Sequence, residues 1–291
     1  RFINTELDYL LAGRQLGLLF VTFSLFANWF GAETVLASSG AVAAEGLSGS
    51  RAEPFGYALC LVAFGIFIAY RMRARSYLTS SDFYKERFGL LPEKISAMLV
   101  IPTSLIWAAA QVVAFAHVLA AVINIDFNLA LVFGTTLVVL YTMIGGFLGD
   151  VFTDFFQGIF VIVGLMITAI FVVLELGGWQ ATLGYITPDR LSLVSPDISM
   201  TEQADQWMIA IVGSLVAQEA ISRFLGARSP EAARQSCFIA AAMYFFCGMI
   251  PVFIGLAGAH IITPGENADN FMPELVKHLL PQWGYYIFLG A

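Results

Sequence analysis

The sequence predicts an all-α membrane protein whose chain crosses the bilayer several times. Hydrophobic residues make up 59% of its 291 positions and charged residues 12%, whereas soluble domains average about 45–50% and about 25%. The mean hydropathy is +0.80. Runs without a charged residue recur along the chain, and about 20 apolar residues form a helix that crosses a bilayer. We therefore expect a single transmembrane domain over residues 1–291, embedded in a lipid bilayer.

The first predicted span, residues 16–44, differs from the others because polar and small residues interrupt it. The span is long enough to cross the bilayer, yet Asn28, Gly31 and Glu33 occupy positions where a plain membrane helix carries leucine. Backbone groups that an interruption leaves unpaired at membrane depth are tolerated only where they face protein, water or a ligand. We therefore predict a broken helix near residues 27–31, with a binding site for an ion and a solute beside it.

Six further spans and the start of another follow from the hydrophobic runs. Residues 80–88 have the pattern of a short amphipathic helix that Gly89 ends. Residues 177–205 form a long polar loop that we expect to lie outside the membrane. The chain starts without methionine and stops inside a hydrophobic run, so we expect it to be part of a longer protein. The predicted spans are residues 55–70, 95–123, 127–149, 151–176, 206–224 and 237–262, with the start of another at 285.

The distribution of lysine and arginine indicates the orientation of the chain in the membrane. If the ends of spans two, four and six face the cytoplasm, all but three of the 14 basic residues lie on that side. Cytoplasmic loops carry such an excess of Lys and Arg. We therefore expect a multi-pass protein of the plasma (inner) membrane in this orientation. The three basic residues on the other side are Arg51, Arg190 and Lys277.

Four sequence motifs follow one another in a recognisable order. Residues 8–14 read DYLLAGR, and residues 24–40 read SLFANWFGAETVLASSG. A pair of glycines at 145–146 precedes VFTDFFQ at 151–157, and SRFLGARS at 222–229 is followed by EAAR. Together these motifs resemble the signatures of the sodium:solute symporter family.

This resemblance implies a LeuT-type fold, in which two inverted repeats of five helices surround a binding site at mid-membrane. The chain would contain the first repeat and about half of the second. In the family a Na+ site combines backbone carbonyls of the broken helix with hydroxyls of the eighth core span. Ala27 and Phe30 match the carbonyl positions, and the hydroxyl partners lie outside this sequence. Sodium prefers oxygen ligands, and the carbonyl end of a half-helix favours a cation, although a proton-coupled member would look similar in this half.

Six polar residues are candidates to line the solute cavity. An unpaired charge inside a span costs at least a few kcal/mol, so Glu33 either lines a solvated cavity or makes a helix-packing hydrogen bond. Thr34 and Glu53 match solute-contacting positions of sugar-transporting members, although Glu53 could instead be a charge at a helix start. Gln111 could contact solute or hydrogen-bond to a neighbouring helix. The full candidate set is Asn28, Glu33, Thr34, Glu53, Gln111 and Gln218.

Two aspartates open the fifth predicted span. The resemblance implies that Asp154 belongs to a second cation site or to an inner gate, and the alternative is an N-terminal cap of its helix. We expect Asp150 to be solvated, because family members usually carry an apolar or basic residue there.

These features together indicate secondary active transport, in which Na+ drives the uptake of a small organic solute by alternating access. The alternative is a sensory or solute-binding module of a larger signalling protein, which a soluble region beyond residue 291 would indicate. No enzymatic activity is expected, because the sequence has no HExxH, CxxC or GxxxxGK[ST] motif. No nucleic-acid partner is expected, and the sequence predicts neither the solute nor the oligomeric state.

Overall fold

The structure, a computed structural model, describes residues 5–123, 125–196, 198–265, 268–282, 284–285 and 288, without the side chains of residues 32, 33, 118, 121 and 122. Within this part the chain is helical apart from turns and one isolated backbone bridge. The helices are α1 (Glu6–Leu11), α2 (Leu18–Trp29), α3 (Ala32–Glu45), α4 (Tyr57–Ala63), α5 (Ala69–Ala74), α6 (Ser80–Phe88), α7 (Leu90–Ile123), α8 (Phe127–Glu175), α9 (Trp179–Tyr185), α10 (Met200–Ile211), α11 (Gln218–Leu225), α12 (Pro230–Gly258) and α13 (Phe271–Leu279).

The first predicted span consists of two helices, α2 and α3, which are separated by Phe30 and Gly31. The next helical stretch also departs from a regular α-helix, because π-helical turns at Arg51–Gly56 and Phe64–Ile68 flank α4. Such turns are frequent at functional sites. The first π-helical turn contains Glu53, whose φ of −116° and ψ of 116° are not helical.

The fourth and fifth predicted spans form one helical run, α8, of 49 residues. At about 1.5 Å per residue this run is more than twice as long as a hydrocarbon core of about 30 Å. It is broken at Gly146, with φ 52° and ψ −153°, within the pair of glycines that close the fourth predicted span. A Cβ atom at Gly146 would lie 2.9 Å from Cδ2 of Tyr9. Glycine is therefore required here by both the backbone conformation and the contact.

Four helical segments of the described chain are long and apolar enough to cross a membrane, or five if α10 and α11 count as one interrupted span. The number is smaller than the seven complete predicted spans for two reasons: α8 contains two of them, and residues 34–74, which hold the second half of span one and all of span two, count as one segment. No residue of the most apolar stretch of α7 is buried inside the protein, whereas 44% of that of α12 is buried. The predicted span at 237–262 corresponds to α12, which begins and ends earlier than expected.

The chain divides into two compact units. Residues 1–25, 65–154 and 216–237 form unit 1, and residues 26–64, 155–215 and 238–291 form unit 2.

In unit 1, backbone hydrogen bonds join the SRFLGARS segment to Leu16, which follows the DYLLAGR segment. The Leu16 amide donates to the Gly226 carbonyl at 3.2 Å, and the Arg228 amide donates to the Leu16 carbonyl at 3.0 Å. Arg73 donates from Nε to the Ala227 carbonyl at 2.6 Å. Arg14 donates to the carbonyls of Ser76 and Tyr77. The side chains of Arg14 and Arg73 and the backbone bonds of Leu16 thus hold these segments together.

In unit 2, α3 packs closely against α12. A Cβ atom at Gly255 would lie 2.5 Å from the Ser39 carbonyl oxygen and 3.0 Å from Cβ of Val42. Small residues allow membrane helices to approach in this way. At the end of α3, Arg190 donates to the carbonyls of Val42 and Ala43 at 2.8 and 2.6 Å. Because the last carbonyls of a helix carry partial negative charge, this arginine stabilises the helix end.

Candidate functional site

The break between α2 and α3 has a defined hydrogen-bond pattern. The Phe30 amide donates to the Phe26 carbonyl at 2.8 Å and completes the last turn of α2. In a continuous helix the Gly31 amide would bind the Ala27 carbonyl, but it donates to the Trp29 carbonyl at 3.1 Å. Gly31 is extended, with φ −119° and ψ −163°. The backbone therefore leaves the helix within the segment where the sequence predicts a break.

The carbonyls of Ala27 and Phe30 lie at the carbonyl end of α2. This end of a helix carries the negative end of the dipole and favours a cation. No group of three or more His, Cys, Asp or Glu side chains in the described residues could hold a metal ion. The assignment of Ala27 and Phe30 to Na+ stays a prediction.

Three side chains next to the break form what we call the carboxylate–hydroxyl cluster: Thr34, Glu53 and Tyr244. The Tyr244 hydroxyl donates to Glu53 Oε2 at 2.5 Å. Thr34 Oγ1 lies 3.2 Å from Glu53 Oε1, 3.1 Å from the Tyr244 hydroxyl and 2.8 Å from the Trp29 carbonyl oxygen. A threonine hydroxyl has one proton. It can therefore donate either to the Trp29 carbonyl at the helix break or to the Glu53 carboxylate. Rotation of the hydroxyl switches the hydrogen bond from one acceptor to the other.

The elements that carry this cluster belong to unit 2. Thr34 lies in the first turn of α3, and Tyr244 lies in the middle of α12, fully buried. Glu53 lies in the π-helical turn and is half-buried. Buried Arg51 fixes this turn, because it donates to the Gln206 side chain at 2.7 Å and to the Leu193 carbonyl at 3.0 Å.

Aromatic rings surround the cluster. The Phe30 ring meets the Tyr244 ring at 90°, with centroids 5.3 Å apart. The Trp29 and Tyr57 rings lie at 64°, with centroids 5.5 Å apart, and the Tyr57 and Tyr244 centroids are 6.3 Å apart. Phe30 and Tyr244 are at most 1% exposed, whereas Trp29 and Tyr57 are only half-buried. Both buried rings and half-buried rings therefore neighbour the cluster.

The structure thus brings two predicted cavity residues, Thr34 and Glu53, into contact, and it places the other four differently. Asn28 is half-buried in the last turn of α2. Glu33 lies in the first turn of α3, and its side chain is outside the described part of the chain. Gln111 is exposed on α7. Gln218 Oε1 accepts hydrogen bonds from the amide and hydroxyl of Ser80, at 3.0 and 2.9 Å.

A second polar site, which we call the charged cluster, lies in unit 1 and consists of Ser24, Asp150, Asp154 and Arg223. Ser24 Oγ donates to Asp154 Oδ2 at 2.5 Å. One guanidinium nitrogen of Arg223 lies 2.5 Å from Asp150 Oδ2, and another lies 3.4 Å from Asp154 Oδ2. The guanidinium also stacks over the Phe147 ring, 5.1 Å from its centroid. The arginine thus bridges two carboxylates that follow the break at Gly146.

These contacts correct two expectations about the aspartates. Asp150 is not simply solvated, because it forms an ion pair with Arg223. Asp154 is not an N-terminal cap. It lies two helical turns beyond Gly146, and its carboxylate binds Ser24 and Arg223. Its role in a gate or a second cation site stays a prediction.

Sequence reasoning missed three residues of the two clusters: Ser24, Arg223 and Tyr244. Arg223 stands inside the SRFLGARS motif, and an intramembrane acid calls for a partner, so the pair Arg223 and Asp154 could have been proposed. Ser24 and Tyr244 lie in apolar runs and give no signal of their own, because their partners are far away in the sequence.

Comparisons with known proteins support the family that the motifs indicate. A model of the sodium:solute symporter family matches residues 9–291. The chain is 26% identical over 307 residues to the high-affinity choline transporter 1 of Drosophila melanogaster, covering 99% of this chain and 48% of that protein. It is also 26% identical over 307 residues to the sodium/proline symporter of Escherichia coli K12, covering 98% and 60%. The chain thus spans about half the length of the curated relatives it matches.

A solved structure confirms the predicted LeuT-type fold. A Na+-coupled sialic acid symporter, solved in a substrate-bound outward-open state, superposes with a TM-score of 0.78 and 14% sequence identity. The superposition covers 98% of this chain and 62% of that chain. The family and the relatives are transporters, and the long apolar helices make this a multi-pass membrane protein. The chain belongs to the sodium:solute symporter family.

Proposed function

We propose that this chain forms part of a secondary active transporter that couples the inward flow of Na+ to the uptake of a small organic solute. The observation that carries this proposal is the broken first helix with the carboxylate–hydroxyl cluster beside it. In membrane transporters, broken helices present carbonyls and helix ends to ions and solutes. The chain's family membership makes symport the function that this geometry supports best, and we propose no enzymatic role.

In this proposal Na+ binds the carbonyls of Ala27 and Phe30, together with hydroxyl ligands outside this chain. The solute occupies the space beside Asn28, Thr34 and Glu53. The Thr34 hydroxyl links the two sites, because it reaches both the Trp29 carbonyl at the break and the Glu53 carboxylate. By linkage, Na+ binding that raises solute affinity requires the solute to raise Na+ affinity by the same factor.

Asp154 is the candidate for the inner gate or a second cation site. Arg223 already forms ion pairs with Asp150 and Asp154. Opening of the gate would break these ion pairs and replace them with other contacts. We place the ends of spans two, four and six on the cytoplasmic side of the plasma membrane, as the basic residues indicate. Glu33, Gln111 and Gln218 are secondary candidates for solute contact.

Radiotracer uptake into proteoliposomes tests this proposal. The full-length protein is reconstituted, and uptake from a panel of solutes is measured with an inward Na+ gradient and with an equal K+ gradient. The panel includes choline and proline, because two relatives are named for these solutes. We expect uptake of at least one solute to require the Na+ gradient. Equal uptake with both gradients would reject Na+ coupling.

A further inference from the structure

Helix α6 connects two segments that are long and apolar enough to cross the membrane. One of these segments ends at Ala74, and the other begins at Leu90. Because a short connection stays close to the two helix ends that it joins, α6 lies at one surface of the bilayer, near the lipid headgroups. No residue of the most apolar stretch of α7 is buried inside the protein, so lipid surrounds the helix that follows α6.

Three aromatic rings form an exposed group on α6. The centroid of the Phe83 ring lies 5.5 Å from that of Tyr84 and 6.5 Å from that of Phe88. Phe83 is 40% exposed and Phe88 is 60% exposed, and Leu90 and Leu91 continue this apolar surface at 62% and 69%. Aromatic side chains are enriched where a membrane protein meets the interface between lipid and water. The rings of α6 are thus suited to insertion into a lipid surface.

The acidic residues around α6 are engaged within the protein. Glu86 forms an ion pair with Arg75, and Glu93 forms one with Lys85 at 3.0 Å. Asp82 accepts hydrogen bonds from the amides of the two residues that precede the helix, at 2.7 and 3.0 Å. Residues 71–94 contain six basic residues and only these three acidic ones, whereas the whole chain has a net charge of −7. The segment therefore carries an excess of positive charge in an acidic protein.

Three exposed basic side chains are not balanced by an acid. Within the part of the chain that the structure describes, Arg87 and Lys94 are exposed and form no hydrogen bond or ion pair through their side chains. Arg71 is exposed and donates to the Phe67 carbonyl at 2.6 Å, which leaves its charge in place. Arg87 follows Phe83 by four residues, so the two side chains lie on the same face of α6. Positive charge thus adjoins the exposed rings.

Basic side chains beside exposed apolar ones are typical of a helix that lies in the surface of a membrane with anionic lipids. We propose that α6 and the start of α7 bind the headgroups of anionic phospholipids through Arg71, Arg87 and Lys94, while Phe83 and Phe88 insert among the lipids. A soluble anion would use the cations and leave the rings in water, whereas a lipid surface uses both. This inference does not depend on the proposed symport.

Hydrogen–deuterium exchange in lipid nanodiscs tests the inference. The full-length protein is placed at low ionic strength in nanodiscs of phosphatidylcholine alone, or of equal parts phosphatidylcholine and phosphatidylglycerol. We expect the amides of residues 80–88 to exchange at least about fivefold more slowly in the anionic discs, because each basic residue near an anionic surface contributes about that factor to binding. Added salt should abolish the difference, because it screens exposed charges. Equal exchange in the two kinds of disc would overturn the inference.

A double variant assigns the effect to the named cations. Arg87→Gln combined with Lys94→Gln should lose most of the slowing in anionic discs and should match wild type in phosphatidylcholine. Lys277→Gln removes an exposed cation from α13 and is the control, which should keep the wild-type difference at residues 80–88. Wild-type slowing in the double variant, or an equal loss in Lys277→Gln, would show that Arg87 and Lys94 do not bind the headgroups.

A variant of Phe88 tests the apolar part of the surface. Phe88→Gln should speed the exchange of residues 80–88 at least about threefold in both kinds of disc, because insertion of a ring stabilises the helix whatever the charge of the headgroups. Phe88→Trp keeps an aromatic ring and should stay within about twofold of wild type. If Phe88→Gln exchanges as wild type does in both discs, the rings do not insert and the inference is wrong.

Glycerol 3-phosphate distinguishes a lipid surface from a soluble anion. Added to wild-type protein in discs of phosphatidylcholine alone, it should leave the exchange of residues 80–88 unchanged. If it reproduces the slowing, the cations bind soluble phosphate and the lipid surface is rejected. If the double variant does not fold, the comparison of the two discs at low and high salt on wild-type protein decides the question.

Discussion

In the charged cluster a guanidinium lies between two carboxylates, whereas in the carboxylate–hydroxyl cluster a single carboxylate is bonded by two hydroxyls. The charged cluster contains its own cation, Arg223, held by Asp150 and Asp154. The carboxylate–hydroxyl cluster contains Glu53 with Thr34 and Tyr244. The side chains of each cluster carry a formal charge of −1, but only the first cluster balances part of its charge internally.

This difference in charge balance indicates that the two clusters have different roles. An ion pair with a buried arginine fixes three side chains at once, and loss of one partner leaves an uncompensated charge. A hydroxyl rotates at little cost and can change its acceptor. We therefore expect the charged cluster to act mainly on stability and on a gated conformational change. We expect the carboxylate–hydroxyl cluster to act mainly on ligand binding.

The largest expected effect tests the first half of this comparison. Arg223→Met removes the cation and leaves two carboxylates facing each other, which should destabilise the protein by about 3–5 kcal/mol. The measurement is thermal or denaturant unfolding of the solubilised full-length protein. Arg87→Met, at an exposed position on α6, is the matched control and should have little effect.

A compensating variant sharpens this prediction. Adding Asp154→Asn to Arg223→Met removes one of the unpaired carboxylates and should restore part of the lost stability, because the two residues are in contact. If Arg223→Met unfolds like wild type, the charged cluster does not stabilise the fold.

The next effect concerns the backbone that positions Asp150 and Asp154. Gly146→Ala introduces a side chain at φ 52° and 2.9 Å from the Tyr9 ring, which should cost about 1–3 kcal/mol of stability. Gly145→Ala is an ideal control, since a Cβ atom there has no neighbour within 4 Å. The free energy of unfolding should be clearly lower for Gly146→Ala than for Gly145→Ala. Equal stability of the two variants would show that the break at Gly146 tolerates a side chain.

The smallest effect on stability is expected in the carboxylate–hydroxyl cluster. Tyr244→Phe keeps the buried ring and removes the hydroxyl bonded to Glu53, and a hydrogen bond to a charged group contributes about 1.5–3 kcal/mol. Because Thr34 can donate to Glu53 in its place, we expect the loss to lie at or below the lower end of this range. Unfolding and uptake are measured on the same preparation, and uptake should fall more than stability. A variant that loses stability but transports normally would contradict the proposed role of this cluster.

The sequence predicts the helical membrane fold and the position of the broken helix because both depend on local composition. Uncharged runs of about 20 residues mark spans, and Asn28 and Gly31 mark the break. Boundaries inside long helical runs are less predictable. The span bounds 127–149 and 151–176 follow from composition, whereas the helix breaks at Gly146, because glycine adopts the required backbone conformation without strain.

The composition of the two clusters depends on tertiary contacts and is only partly predictable. Thr34 and Glu53 are identified from resemblance, but Tyr244, which holds the Glu53 carboxylate, lies 191 residues further along the chain. The ion pair of Asp150 with Arg223 is not predicted, because the two residues lie in different motifs. An acid's partner in three dimensions cannot be read from its neighbours in sequence.

The central claim is that the interrupted helix binds Na+ through its carbonyls, and hydrogen–deuterium exchange tests it most directly. Exchange of the amides of residues 30–35 is compared in Na+ and in K+ on the full-length protein, with the amides of α13 as an internal reference. Because an ion bound at the break orders this backbone, we expect slower exchange in Na+ at residues 30–35 and no change in α13. Identical exchange of residues 30–35 in the two salts would contradict the account.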